Sequence, residues 1–222
     1  MIVVYHRPVI PRVVIERVPL PGGETLVLSR RDQMFSIRVA GVELMNNASH
    51  HSEDELGKQC ARRVKAKAPK IMIGGLGMGF TLRAALDELP ADARVEVVEI
   101  VPAVVRWNRT ILGDQAGHPL DDPRVTVVED DVREAIARGK DYDAIVLDVD
   151  NGPNGVYEGN GSLYKRAALA QAKAALAPGG VYAVWSSFAS PTFSRWLRDV
   201  GFKVDEVTVK SHGGHHIIWF AS

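Results

Sequence analysis

The chain has 222 residues, of which 46% are hydrophobic and 24% are charged, which is ordinary for a globular protein with a full core. Its 27 basic side chains balance 27 acidic ones, so the net charge attracts neither nucleic acid nor an anionic membrane surface. The single cysteine excludes an internal disulfide, no stretch reaches the roughly 18 apolar residues of a membrane span, and the first residues lack the order of a secretory signal. These features predict a cytoplasmic protein without membrane or nucleic-acid partners.

The first part of the chain reads as a small β element. Short strands are predicted over residues 12–18, 25–29 and 34–39, with a turn over residues 19–23. A helix is predicted over residues 53–67, because Leu56, Cys60 and Val64 lie four apart. We therefore divide the chain into a small N-terminal β element, residues 1–52, and a main domain, residues 53–222.

From Lys70 onward strands and helices alternate. Strands are predicted over residues 71–73, 94–99, 125–128, 144–147 and 181–185, and helices over residues 82–89, 101–111, 132–138, 162–176 and 191–200. The last two strands, over residues 203–209 and 216–220, are too close for a helical crossover and should form an antiparallel hairpin. The pattern predicts an α/β fold with a Rossmann-like, doubly wound, mostly parallel seven-stranded sheet. This arrangement resembles the class I S-adenosylmethionine-dependent methyltransferase fold.

A glycine-rich turn follows the first strand of this sheet. Glycines accept positive φ angles and let a ligand approach the backbone, and the helix that follows presents free N–H groups. Glu99 ends the next strand about 20 residues on, where its carboxylate can accept hydrogen bonds from both ribose hydroxyls. A nucleoside site is predicted here, and a purely structural turn is the alternative. The predicted cofactor contacts are Gly75, Gly77, Met78, Gly79, Glu99 and Ile100.

The identity of the nucleoside ligand stays open at this point. A nicotinamide dinucleotide is one candidate. Phe80 after the last glycine of the turn and the C-terminal hairpin favour adenosylmethionine or a close relative.

Two further acidic positions follow strands of the same sheet. Asp131 can accept from the adenine amino group while the Val132 N–H reads a ring nitrogen, although a helix N-cap is the alternative. Asp148 ends a wholly apolar strand over the switch point where ligands bind in open α/β sheets. A carboxylate there can attract a protonated amine, orient it and accept its proton. The alternative for Asp148 is a residue that caps the strand end.

Two segments resemble the spermidine synthase (polyamine aminopropyltransferase) family. They are Asp122-Pro123-Arg124-Val125 with Glu129-Asp130-Asp131, and Tyr142-Asp143-Ala144-Ile145-Val146-Leu147-Asp148-Val149-Asp150-Asn151-Gly152-Pro153. The resemblance runs from about Lys70 to Ser187. It implies that Asp148 is the catalytic base and also borders the cofactor, and that Asp150 is a second acid that grips the amine, with Asn151 beside it.

The resemblance also sets expectations on either side of these segments. His51 and Glu53 stand where the family has a Tyr-His-Glu motif that contacts the acceptor. Met78 replaces a family aspartate that binds the propylamine arm of the decarboxylated donor, and a thioether cannot pair with an ammonium group. The chain therefore departs from the family in its glycine turn.

The functional expectation is a spermidine synthase-like transferase. It would bind S-adenosylmethionine or its decarboxylated form and transfer an aminopropyl group to a small-molecule amine, leaving methylthioadenosine. A small-molecule methyltransferase that leaves S-adenosylhomocysteine, and a nucleoside-binding protein without catalysis, are the alternatives. No metal site is predicted, because adjacent histidines on an extended segment point in opposite directions. The family analogy implies a homodimer.

Overall fold

The computed structural model describes residues 10–20, 22–149, 152–153, 158–211 and 214–222, and for residues 158–160 it describes the backbone alone. Asp150 and Asn151, two of the predicted site residues, lie outside this part of the chain. The backbone forms two compact units, Met1–Ala48 and Ser49–Ser222.

The first unit is a four-stranded antiparallel sheet in sequential order. Its strands are β1 (Val13–Pro19), β2 (Thr25–Arg31), β3 (Met34–Val39) and β4 (Val42–Asn46). Leu26, Leu28, Phe35 and Ile37 alternate along β2 and β3 and form its buried face. The fourth strand was not predicted. Ala40 and Gly41 both adopt positive φ, the geometry of a tight hairpin turn, but an alanine gives no signal for it.

The second unit is an α/β domain. Its strands are β5 (Lys70–Gly74), β6 (Arg94–Glu99), β7 (Val125–Glu129), β8 (Tyr142–Leu147), β9 (Leu176–Ser186), β10 (Val204–Ser211) and β11 (Gly214–Ala221). Its α-helices are α1 (His51–Arg63), α2 (Phe80–Glu88), α3 (Pro102–Arg109), α4 (Val132–Arg138), α5 (Arg166–Ala175) and α6 (Pro191–Asp199). Short 3₁₀ segments cover Gly113–Ala116, Pro119–Asp121 and Glu158–Tyr164.

The seven strands pair in the order β10-β11-β9-β8-β5-β6-β7. The five strands from β9 to β7 are parallel, and β11 runs antiparallel to both β9 and β10. The predicted fold, a mostly parallel seven-stranded sheet with a C-terminal antiparallel hairpin, is confirmed. None of the helices in the described ranges is long and apolar enough to cross a membrane.

Both faces of this sheet are covered by helices. Tyr182, Val184 and Trp219 face α5 and α6, where they pack in one cluster with Leu169 and Phe193. The other face carries α1, whose Arg63 guanidinium lies 3.7 Å from the centre of the Phe220 ring. Because the central strands are buried on both faces, their sequences are continuous apolar runs.

The strand order places a switch point between β5 and β8. The chain proceeds outward from β5 through β6 to β7, then returns to add β8 and β9 on the other side. The parallel strands all end at one edge of the sheet, where open α/β sheets bind their ligands. The glycine turn, Glu99, Asp131 and Asp148 follow four of these ends.

Candidate functional site

The glycine turn connects β5 to α2 through backbone conformations that residues other than glycine adopt only with strain. Gly75, Gly77 and Gly79 have φ angles of 88°, 52° and 85°. A Cβ on Gly75 would lie 2.2 Å from the carbonyl oxygen of Asp148, which no real contact tolerates. Glycine at position 75 therefore lets the turn rest directly on the chain that leaves β8.

The side chains between these glycines point away from the surface. Leu76 is buried and Met78 is fully buried, whereas Gly75 and Gly77 keep partial exposure. A ligand on this turn would meet glycine backbone. The structure thus places Met78, one of the predicted cofactor contacts, in the hydrophobic core.

Glu99 holds the turn from the end of β6. Its carboxylate accepts the N–H of Leu76 at 3.0 Å and the N–H of Val101 at 2.8 Å. Burial raises the pKa of Glu99, and hydrogen bonds from backbone N–H groups oppose that rise. Each carboxylate oxygen keeps a second lone pair, so two hydroxyls of a ribose can still be accepted. The predicted role of Glu99 is compatible with this geometry.

The residues predicted to contact an adenine ring differ in exposure and in hydrogen bonding. Ile100 is 57% exposed, which is unusual for a large apolar side chain beside a buried carboxylate. Asp131 caps α4 by accepting the Arg133 N–H at 2.8 Å, and its carboxylate also pairs with the Arg133 guanidinium. Val132, the first residue of α4, packs over Gly74. The capping alternative for Asp131 is therefore realised in the structure, and a ligand at Asp131 would compete with Arg133.

Asp148 lies next to a second acid, Glu53, and the sequence alone did not predict this pairing. The Thr81 hydroxyl donates to Asp148 Oδ2 at 2.6 Å and lies 3.3 Å from the backbone carbonyl oxygen of Glu53. The Glu53 side chain is only 8% exposed, whereas Asp148 keeps partial exposure. The Glu53 carboxylate in turn accepts the Ser52 hydroxyl at 2.5 Å. Glu53 and Asp148 thus form a carboxyl pair at the sheet edge.

The charges of this pair are poorly compensated. Burial first, and then the Asp148 charge, raise the pKa of Glu53 to about 7. Burial raises the pKa of Asp148 to about 6, and the hydrogen bond from Thr81 opposes that rise. Within the described residues, neither carboxyl forms an ion pair with a lysine or arginine, and His50 is the one basic group acting on Glu53. An uncompensated anionic pair beside a solvent-facing edge suits a cationic ligand.

The close approach of α1 to α2 explains how Glu53 reaches this position. Gly57 sits one helical turn after Glu53, and a Cβ there would lie 2.4 Å from the Thr81 carbonyl oxygen and 2.9 Å from the Ala85 nitrogen. Only glycine permits this helix contact. Before α1, His50 stacks on Phe80 with ring centres 3.8 Å apart, and its Nδ1 lies 3.0 Å from Asp54. His51 begins α1 and is exposed.

Sequence reasoning missed Thr81 and Gly57. A threonine in the first turn of a helix and a glycine inside another helix are common, and neither signals a site by itself. The one available signal for Gly57 is that glycine is unfavourable in a helix interior by about 1 kcal/mol, so its presence indicates a packing requirement.

Comparisons with known proteins agree on one family. The profile described as "Spermine/spermidine synthase domain" matches residues 59–194. A polyamine aminopropyltransferase of Mycobacterium tuberculosis is 35% identical over 148 residues, which cover 62% of this chain and 27% of that protein. Polyamine aminopropyltransferase 1 of Hyperthermus butylicus is 29% identical over 164 residues, which cover 71% of this chain and 54% of that protein. The chain thus spans about a quarter to a half of the length of these relatives.

Solved structures show the same fold. Spermidine synthase from Thermotoga maritima superposes with a TM-score of 0.74 at 18% identity, over 94% of this chain and 72% of that one. A spermidine synthase in complex with the transition state analogue AdoDATO gives a TM-score of 0.71 at 18% identity, over the same shares of the two chains. The profile covers Thr81, Glu99, Asp131 and Asp148, but it begins after Glu53.

Proposed function

Because the chain belongs to the spermine/spermidine synthase domain family, we propose that it is an aminopropyltransferase-like enzyme acting on a small-molecule amine. One observation supports this most directly. The Glu53–Asp148 carboxyl pair has no lysine or arginine partner within the described residues, and it lies beside the glycine turn. The relatives named polyamine aminopropyltransferase support the same reaction class.

The adenosyl part of a donor fits the described residues. The partly exposed Gly75 and Gly77 offer backbone without side chains, and Glu99 has lone pairs for two ribose hydroxyls. The exposed apolar side chain of Ile100 can cover one face of an adenine ring. Asp131 and Val132 remain the proposed contacts for the adenine edge. Binding there requires the Arg133 guanidinium to move away from the Asp131 carboxylate.

The acceptor half of the site would act by holding and deprotonating an amine. A bound adenosyl donor supplies a sulfonium whose neighbouring carbon is open to attack. An alkylammonium ion is attracted by the carboxyl pair and gives a proton to Asp148, so the neutral nitrogen keeps a free electron pair for that carbon. Glu53 contributes negative charge behind Asp148. Asp150, Asn151 and His51 remain proposed contacts for the rest of the acceptor.

Methyl transfer from adenosylmethionine is the second candidate. Met78 occupies the place of the family aspartate, and it is fully buried, so the turn offers no carboxylate to the ammonium of a decarboxylated donor. The form of the donor is therefore part of the proposal: decarboxylated adenosylmethionine for the first function and adenosylmethionine for the second.

Calorimetric titration with adenosylmethionine, its decarboxylated form and methylthioadenosine separates these functions. We expect the decarboxylated donor to bind more tightly than adenosylmethionine and to release methylthioadenosine when putrescine or another diamine is added. Tight binding of adenosylmethionine, with a methylated product and no aminopropyl product, would replace the first function with the second. Binding without turnover over a broad amine panel would leave a nucleoside-binding protein.

We further propose a cytoplasmic homodimer. The buried single thiol of Cys60 is compatible with a reducing compartment, and the dimer rests on analogy with the family. Light scattering during size-exclusion chromatography would give a mass near 48 kDa for a dimer, twice the 24.2 kDa of one chain.

A further inference from the structure

We propose that Thr81 is a positioning residue that stays hydrogen-bonded to Asp148 both before and after Asp148 accepts a proton. The inference rests on the proposed amine-transfer function for its purpose, but its geometry and its test do not depend on that function. Thr81 is buried in the first turn of α2, with 3% of its surface exposed.

The first state is the one that the structure shows. The Thr81 hydroxyl donates to Asp148 Oδ2 at 2.6 Å, a short contact typical of a hydrogen bond to an ionised carboxylate. Bonds to charged acceptors are stronger than bonds to neutral ones, so this contact favours the ionised form of Asp148. One carboxylate oxygen is thereby occupied, which leaves Oδ1 to receive the amine.

The second state keeps the same hydrogen bond. When an alkylammonium ion has transferred its proton to Oδ1, the product is a neutral amine and a neutral Asp148 carboxylic acid. Oδ2 is then the carbonyl oxygen of that acid, and it still accepts the Thr81 hydroxyl. If the proton moves to Oδ2, the new O–H donates to Thr81 Oγ1, and the Thr81 proton turns to the backbone carbonyl oxygen of Glu53, 3.3 Å away. Thr81 therefore has a hydrogen-bonding partner in Asp148 in either case.

The main chain of Asp148 is fixed independently of Thr81. Its N–H donates to the Gly74 carbonyl at 2.9 Å, and its carbonyl lies against Gly75. The backbone of Asp148 therefore stays in place when its side-chain partner is removed. The titratable groups that act on the pair from the packed elements are Glu53 and His50 on the α1 side, and α2 contributes the uncharged Thr81.

The test is the titration of Asp148 in the ligand-free 222-residue chain, monitored by ¹³C NMR of labelled aspartate carboxyl groups. Thr81→Val removes the hydroxyl and keeps the shape, and we expect the titration midpoint of Asp148 to rise by about one pH unit. Thr81→Ser keeps the hydroxyl and should return the midpoint to the wild-type value. Thr208→Val, an exposed threonine on β10, is the matched control and should change nothing.

An Asp148 midpoint that is the same in Thr81→Val and wild type, with the amide spectrum of a folded protein, overturns the proposal. If Thr81→Val does not fold, Thr81→Ala removes the same hydroxyl with less steric demand and is measured in its place. Where transfer activity is measured, the acid limb of the kcat/KM profile should move upward with the NMR midpoint while donor affinity stays constant. Absence of any transfer would overturn the proposed function, whereas only the titration decides the role of Thr81.

Discussion

At the residue scale, the site depends on two acids with different surroundings. Asp148 keeps partial exposure and accepts a hydrogen bond from Thr81, whereas Glu53 accepts one from Ser52, and burial raises the pKa of both acids. We propose proton transfer to Asp148 because it follows β8 at the ligand-binding edge of the sheet and keeps partial exposure. Glu53 acts through its charge, which strengthens the attraction for a cation.

Asp148→Asn tests the first of these assignments. Asparagine keeps the shape but cannot accept a proton, so turnover should fall at least ~100-fold, the usual contribution of a general base. The affinity for methylthioadenosine, measured by calorimetry, should change by less than about threefold, because asparagine keeps the shape of Asp148 beside the cofactor and the proposed ribose contact is Glu99. Asp87→Asn, on the exposed side of α2, is the control. Retained turnover in Asp148→Asn would refute the mechanism.

Glu53→Gln tests whether the charge of Glu53 affects the free energy of unfolding. The folded state raises the pKa of Glu53 from 4.5 to about 7, so folded protein binds this proton more tightly than unfolded protein does. The associated stabilisation is present below about pH 4.5 and is lost as the pH rises through about 7. Glutamine does not titrate and should escape this loss.

Urea denaturation at pH 5 and pH 8 measures the difference. We expect the free energy of unfolding of Glu53→Gln, relative to wild type, to rise by about 2 kcal/mol between pH 5 and pH 8. An equal difference at both pH values would show that Glu53 acts by packing and not by its charge.

Individual residues of the candidate site could be predicted from the sequence where an acid or a glycine stands at the end of a strand. Glu99 and Asp148 were named for that reason, since strand ends in a parallel sheet share one edge. The pairing of Glu53 with Asp148 through Thr81 was beyond sequence reasoning, because it depends on how closely two helices pack. The same holds for Met78, whose burial depends on the backbone path through the glycine turn.

At the element scale, the contact between α1 and α2 positions the acid pair. Gly57→Ala would place a methyl group 2.4 Å from the Thr81 carbonyl and force the helices apart. We expect a loss of about 1–3 kcal/mol in the free energy of unfolding, even though alanine favours helix formation. Amine transfer should fall more than methylthioadenosine binding does, since α1 carries Glu53 and contacts Thr81, whereas Glu99 lies at the end of β6.

Gly161→Ala is the matched control for this variant. A Cβ at position 161 would meet nothing within 4 Å, and its φ is not positive. Urea denaturation should therefore give Gly161→Ala a free energy of unfolding more than about 1 kcal/mol above that of Gly57→Ala. Equal stability of the two variants would contradict the packing role of Gly57.

Most helices and strands were predictable from the spacing of apolar residues along the chain. The strands of the large sheet other than β9 were predicted to within two residues, because buried parallel strands are short apolar runs between turn signals. The prediction for β9 was wrong at its start, because this strand begins at Leu176, inside the helix predicted over residues 162–176. Element ends were less predictable. The helix predicted to reach residue 67 ends at Arg63, since the chain must become extended before Pro69, and residues 162–165 belong to a 3₁₀ segment and a turn.

At the scale of the whole molecule, a bound nucleoside should stabilise the fold. Methylthioadenosine at 100 times its Kd should add about 2.7 kcal/mol, which raises Tm by roughly 5–10 °C in a chain of this size. Glu99→Gln should weaken that binding about 10- to 100-fold, because a charged acceptor is lost. Differential scanning calorimetry with and without ligand measures both effects.

Glu129→Gln provides the control for Glu99. Glu129 ends β7 directly opposite Glu99 in the sheet, but it is exposed. Its substitution should leave the ligand-induced rise in Tm unchanged. If both variants respond to methylthioadenosine like wild type, the nucleoside site is not at the end of β6.

The acid pair also has a cost in stability. Two carboxyls held together without a lysine or arginine partner in the described part of the molecule reduce its stability at neutral pH. A cation bound between them would offset this cost. Its affinity would therefore be measurable as a rise in Tm that grows with the concentration of the cation.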